Sequence, residues 1–135
     1  MKPEPGAEGR RWFAQAERDL EAARVLTERG HHNVACFQCQ QAVEKGLKAF
    51  LYSRGAREVR GHAAGELCGD AASLDPAFRE LRNVVVLADK YYISTRYPNG
   101  LAEGGLPFEA YDAEDADKAI RMASQALDFI RQRLA

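Results

Sequence analysis

The stretch Asn33-Val34-Ala35-Cys36-Phe37-Gln38-Cys39-Gln40-Gln41-Ala42-Val43-Glu44-Lys45-Gly46-Leu47-Lys48-Ala49-Phe50, closing soon after on Arg54-Gly55, decides how this chain folds. Cys36, Cys39, Val43, Leu47 and Phe50 recur every three or four residues, the spacing that lines apolar side chains along one face of an α-helix. Asn33 can accept from a free backbone N–H of the first turn, and a basic residue followed by glycine is a common helix stop. The reading predicts a helix from Asn33 to about Arg54 with one buried stripe.

The same pattern extends outward in both directions. Upstream, Trp12, Ala16, Leu20, Ala23 and Val25/Leu26 share a helical face that begins near Arg10 and stops at Arg29-Gly30. Residues 1–9 hold two prolines and two glycines without periodicity and read as a flexible leader, leaving 10–135 as one domain. Downstream, a short helix is expected over Ala63 to Ala72, anchored by Leu67 and weakened by Gly65 and Gly69. Asp75-Pro76 then opens a fourth helix whose inner face is Phe78, Leu81, Val85, Ala88 and Tyr92, widened by Val84, Leu87 and Tyr91. Tyr97-Pro98-Asn99-Gly100 interrupts it, and Gly104, Gly105 and Pro107 prolong the break into the longest loop of the chain. Asp112, with Asp115 three residues on, opens a last helix with Ala116, Ala119/Ile120, Ala123, Leu127, Ile130 and Leu134 facing inward. Such stripes can all be buried only side by side, so the expected fold is an all-α, up-and-down antiparallel bundle of four long helices plus one short helix.

Composition narrows the classes. At 135 residues, with 46% apolar and 29% charged side chains, the chain can bury one core and has no run apolar enough for a membrane span. Nineteen basic against 20 acidic residues leave a net charge of −1, so any nucleic-acid surface must arise from local clustering. Nothing at the start resembles an export signal, and three cysteines make an odd set without framework spacing; a cytoplasmic address with reduced thiols is expected.

Three stretches and one short pair, in order, resemble the HEPN family (higher eukaryotes and prokaryotes nucleotide-binding domain). They are Trp12, Ala16, Asp19, Leu20 and Ala23; Cys39-Gln40-Gln41-Ala42-Val43-Glu44-Lys45-Gly46-Leu47-Lys48-Ala49; His62 with Leu67; and Asp89-Lys90-Tyr91-Tyr92-Ile93-Ser94-Thr95-Arg96-Tyr97-Pro98. The resemblance implies an up-and-down bundle, a homodimer, and a gene neighbour encoding a minimal nucleotidyltransferase, some such pairs acting as toxin and antitoxin. Other members are ribonucleases that carry an Arg, four to six residues, then a His late in the bundle near the dimer seam. Here Arg96 lies in that region but no His follows it, so the ribonuclease pattern is broken.

Each chemical signal has a plainer counterpart. Arg57 and His62 satisfy the arginine-four-histidine spacing but follow the second helix, where a solvated loop pair is the ordinary reading. Cys36-Phe37-Gln38-Cys39 lacks both a preceding strand and a second pair, and its sulfurs sit on the apolar stripe, so it reads as core. Glu28-Arg29-Gly30-His31 is a single Glu-x-x-His broken by glycine, where a bundle di-metal site needs two copies and further carboxylates. No metal or cofactor is expected.

Gln40, Gln41, Glu44, Lys45 and Lys48 form a polar ridge that is either a solvent-exposed Glu44–Lys48 pair or a set of donors for phosphate and base edges. Tyr91, Tyr92, Arg96 and Tyr97 either pack the bundle end or stack a base and grip a phosphate, and Arg54, Arg57 and Arg60 add a basic rim. The expectation is a non-catalytic accessory subunit of a nucleotidyltransferase that binds a nucleotide or RNA through Gln41, Lys45, Lys48, His62, Arg96 and Tyr97. Two alternatives stand beside it: a metal-independent ribonuclease using His62 with Arg57 or Arg96, and a purely structural dimerisation or interaction domain.

Overall fold

In the computed structural model, which describes residues 4–134, a helix begins at Pro5, where a proline costs nothing because first-turn N–H groups have no intrahelical acceptor. This helix, α1, runs Pro5–Glu28, and α2 runs His32–Ser53. Glycines at positive φ, Gly30 at 84° and Gly55 at 96°, follow the two ends as the sequence suggested. The start of α1 departs from expectation: Pro5 to Gly9 are helical, while Met1 to Pro3 lie outside the described residues. Gly9 belongs to the α1–α2 seam, where a Cβ would come within 2.8 Å of Ser53 Cβ and 2.9 Å of the Ala49 carbonyl oxygen. Its lack of a side chain, which in sequence suggests a flexible leader, is what lets the helices touch.

The remaining helices are α3 (Ala64–Leu74), α4 (Phe78–Asp89), a four-residue α5 (Pro107–Ala110) and α6 (Ala113–Arg131), with a 3₁₀ turn at Pro98–Gly100. A capping box opens α6: Asp112 accepts from the Asp115 N–H at 2.9 Å, and Asp115 accepts in return from the Asp112 N–H at 2.9 Å. The predicted caps of α2 and α4 work differently. His31 is the N-cap of α2 and makes no side-chain capping bond, while Asn33 inside the first turn donates to the Thr95 carbonyl at 2.8 Å. Asp75 accepts from the Ala77 N–H at 3.1 Å and closes a turn just before Phe78.

Residue pairs fix the topology. Lys45 meets Asp19 and Gly9 meets Ser53, so α1 and α2 are antiparallel. Phe78 packs on Phe50 with ring centroids 4.3 Å apart, while Tyr92, just beyond α4, lies 6.4 Å from Phe37, so α4 is also antiparallel to α2. Phe129 near the end of α6 meets Phe78 at the start of α4 edge-on at 5.1 Å, returning α6 parallel to α2. The order is up, down, up, down, with α3 folded back along α4. Helix α2 is central, and its Leu47 and Phe50 are fully buried, each contributing about 1.5–3 kcal/mol by burial.

Helix α4 ends at Asp89, short of the Tyr-Pro break expected to close it. Beyond it, three successive carbonyls accept side chains four residues on: Lys90 from the Ser94 hydroxyl, Tyr91 from the Thr95 hydroxyl and Tyr92 from the Arg96 guanidinium. These side chains occupy the acceptors that a continuing helix would give to backbone N–H groups. The register shifts beyond Asp89: Tyr91, expected at the edge of the inner face, is buried, and Tyr92, expected at its centre, is half-buried. On α1, Phe13 is buried and Val25 exposed, so the stripe is rotated from that predicted, with Trp12 and Leu26 packed at its margin. Among the described residues no helix is long and apolar enough to cross a membrane.

Candidate functional site

The polar ridge of α2 is built around a carboxylate that solvent barely reaches. Glu44, 6% exposed at its side chain, accepts from Lys48 Nζ at 3.1 Å, Gln40 Nε2 at 3.0 Å and His62 Nδ1 at 3.2 Å. Gln40 and Lys48 reach it because each lies one helical turn away on the same face. The Glu44–Lys48 pair is therefore buried, not the solvent-exposed pair that its spacing suggested. Gln41 donates to the Gln40 Oε1 at 2.7 Å and extends the network toward the surface.

His62 arrives from the α2–α3 connection. Its side chain is 57% exposed, with Nδ1 on Glu44 and its ring stacked on Tyr92 at 5.1 Å and 15°. The connection is held by a clamp in which the Asp89 carboxylate accepts from the Ala64 N–H and, at 3.2 Å, the Gly65 N–H at the start of α3. A carboxylate there also suits the positive end of the helix dipole. Beyond Tyr92, the Arg96 guanidinium lies over three rings, 4.2 Å from the Phe37 centroid and 5.0 Å from those of Tyr92 and Tyr97. Its Nε donates to the Tyr92 carbonyl at 2.9 Å.

Of the predicted site residues, Gln41, Lys48, His62, Arg96 and Tyr97 thus fall on one connected network running from the ridge to the Tyr-Pro turn. Lys45 does not. Its Nζ sits 2.6 Å from Asp19 Oδ2, and it lines a separate cavity of about 350 Å³ with Arg11, Trp12 and Gln15. Lys48 is in the network but its amino group is buried against Glu44. Arg54 lies over the Phe50 ring, Arg60 pairs with Glu58, and Arg57 is exposed.

Three contributors escaped the sequence reading: Glu44 as the hub, Phe37 as a third ring beneath Arg96, and Asp89 as the clamp. The signal for Glu44 was the Gln40-Glu44-Lys48 spacing, but nothing in one sequence says that this face turns inward at a loop carrying His62.

The arrangement offers aromatic faces, a guanidinium held flat against them and a half-exposed imidazole. Planar cations of this kind grip phosphate, and exposed rings stack on bases. The cysteines take no part. All three are free and buried, and burial pushes the Cys36 thiol up to about 12 and the Cys68 thiol up to about 11. Among the described residues no three His, Cys, Asp or Glu side chains group as a metal site would require.

The chain is thus a small all-helical, up-and-down bundle whose Gln-Gln-x-x-Glu-Lys helix lies against an Arg-Tyr-Pro turn. The HEPN domain pattern matches residues 10–133, and the chain belongs to the HEPN family. It is 29% identical over 130 residues to the protein named "Putative toxin MJ1304" of Methanocaldococcus jannaschii, covering 91% of this chain and 86% of that one. The crystal structure of TT1696 from Thermus thermophilus superposes with a TM-score of 0.86 at 31% identity, over 93% of this chain and 98% of that chain. ST0689, described as an archaeal HEPN homologue, gives 0.77 at 35% identity over 100% of both chains. The HEPN domain protein TM0613 from Thermotoga maritima gives 0.69 at 27%, over 90% of this chain and 95% of that one.

Proposed function

We propose that this HEPN protein is a non-catalytic, cytoplasmic binding subunit, homodimeric, that works beside a minimal nucleotidyltransferase in a toxin-antitoxin-like pair and holds a nucleotide or RNA end at the Arg96 cluster. The observation that carries the reading is the Arg96 guanidinium over Phe37, Tyr92 and Tyr97, with the exposed His62 ring stacked on the same Tyr92. Rings supply stacking surface and the cation supplies phosphate contact. Gln41 and Lys48 lie along the same network, and the similarity to a protein named as a toxin supports the pairing. Titration of nucleotides and short RNAs into wild type and Arg96→Ala tests it. At least tenfold weaker binding in the variant is expected; identical or undetectable binding by both removes the ligand.

One observation favours a ribonuclease reading. Glu44 accepts from His62 Nδ1, which fixes the ring and turns Nε2 into the available nitrogen for proton transfer, with Arg96 on the neighbouring ring to stabilise phosphate charge. Incubation of RNA with wild type and His62→Ala separates the two readings, because cleavage equal in both belongs to a contaminant.

A further inference from the structure

Away from that cluster, α4 and α6 leave an open groove of about 520 Å³ between them. Its floor is apolar: Val86, Leu87 and the buried Met122 line it, and Val86 is 42% exposed although it lies mid-helix. Its edges are basic, with Lys90 from the end of α4 and Lys118 and Arg121 from α6. None of the lining side chains is acidic. Arg121 pairs with Asp117 at 3.2 Å, one turn back on α6, and both side chains are exposed. Among the described residues neither Lys90 nor Lys118 has a carboxylate within ion-pair distance. The chain as a whole carries −1, so this basic edge is a local construction.

We propose that the α4–α6 groove docks an acidic amphipathic helix of a partner protein. Two antiparallel helices present a trough into which a third can lay its apolar stripe, at the i, i+3, i+4 and i+7 positions that recur in helix-in-groove recognition. The 12 residues of α4 give a trough of roughly 18 Å, enough for about three turns of the partner. Asp and Glu flanking that stripe meet the three cations, whose Lys members are compact, mobile charges at the rim where complementarity sets orientation and on-rate. A nucleic acid fits less well, because no lining residue is aromatic and an unpaired strand gains its non-electrostatic affinity from stacking on rings.

The test uses the full chain and a synthetic peptide of about 18 residues, long enough to hold a helix in part, with Leu at the anchor positions and Glu on both flanks. Controls are a twin with Lys in place of Glu and an oligothymidylate strand. Fluorescence anisotropy is expected to show binding of the acidic peptide alone, weakening with salt. Lys118→Glu/Arg121→Glu should weaken it at least tenfold, and so should Val86→Asp, with both variants keeping the helical circular-dichroism spectrum of wild type since all three positions are exposed. No binding, or equal binding by wild type and the charge-reversed variant, overturns the proposal. So does oligothymidylate binding that the same substitutions abolish, which would make the groove a nucleic-acid surface. Self-association lost in these variants, without peptide binding, overturns it in favour of a second copy of this chain.

Discussion

Removing the carboxylate of Glu44 isolates the energetics of the site from its ligand. Glu44 and Lys48 are only 6% and 7% exposed at their side chains, so Glu44→Ala strands an ammonium inside the α2 face with no counter-charge. Breaking such a buried pair from one side costs about 3–5 kcal/mol. For a domain of this size that lowers the melting temperature by roughly 10–20 °C. Gln40 also loses one acceptor but keeps its 3.3 Å bond to the His62 carbonyl, so little is added from that side. The informative comparison is Glu44→Leu/Lys48→Met, which removes both charges and fills the same space; it should lie within about 2 kcal/mol of wild type, since apolar replacement of both partners is often neutral. Urea unfolding followed by circular dichroism measures all of these. If Glu44→Ala falls within about 1 kcal/mol of wild type, or the double variant is no more stable than the single, the buried-pair argument fails.

Three further outcomes follow from separate features. Gly9→Val should lose about 1–3 kcal/mol by urea titration, because its Cβ would meet the Ala49 carbonyl at 2.9 Å and backbone cannot swing aside. Native cysteines should resist Ellman's reagent at pH 8 and react on unfolding. Since burial raises Cys36 to about 12 and Cys68 to about 11, the unfolded chain releases these protons first, and stability should fall as pH rises from 9.0 toward 12. A urea midpoint unchanged between pH 8 and pH 10.5 would contradict this. The Asp112 carboxyl is held below its ordinary value of 3.8, chiefly by the Asp115 backbone N–H, so its stabilisation is fully present above 3.8 and is lost as pH falls below that toward the lowered value of the folded chain. Asp112→Asn, a cap that does not titrate, should flatten the acid limb of the stability profile.

The fold was readable where local signals agreed with packing. Gly30 and Gly55 stop α1 and α2 because only glycine accepts their positive φ cheaply, and Asp112 with Asp115 marks the start of α6 through a purely local box. Reading failed where tertiary contact reversed a local rule. Gly9 resembles a breaker and is a close-packing residue, and the Val84 to Tyr92 periodicity outruns a helix whose acceptors are taken by Ser94, Thr95 and Arg96. For the site, the Gln-Lys helix and the Arg-Tyr-Pro turn were both visible, and their connection through His62 and Tyr92 was not. That connection depends on which ring of the Tyr91-Tyr92 pair turns outward, and the choice is made by the broken register after Asp89, not by residue type.

The Asp89 carboxylate on the first N–H groups of α3 also acts as a tether. One residue separates His62 from Ala64 and two separate Asp89 from Tyr92, so each ring is leashed within roughly 7–11 Å of chain from a shared anchor. Neither can wander far from the other while that anchor holds. Much of the ordering that an incoming molecule would otherwise have to impose is completed when the bundle folds, leaving more of its contact energy to appear as affinity.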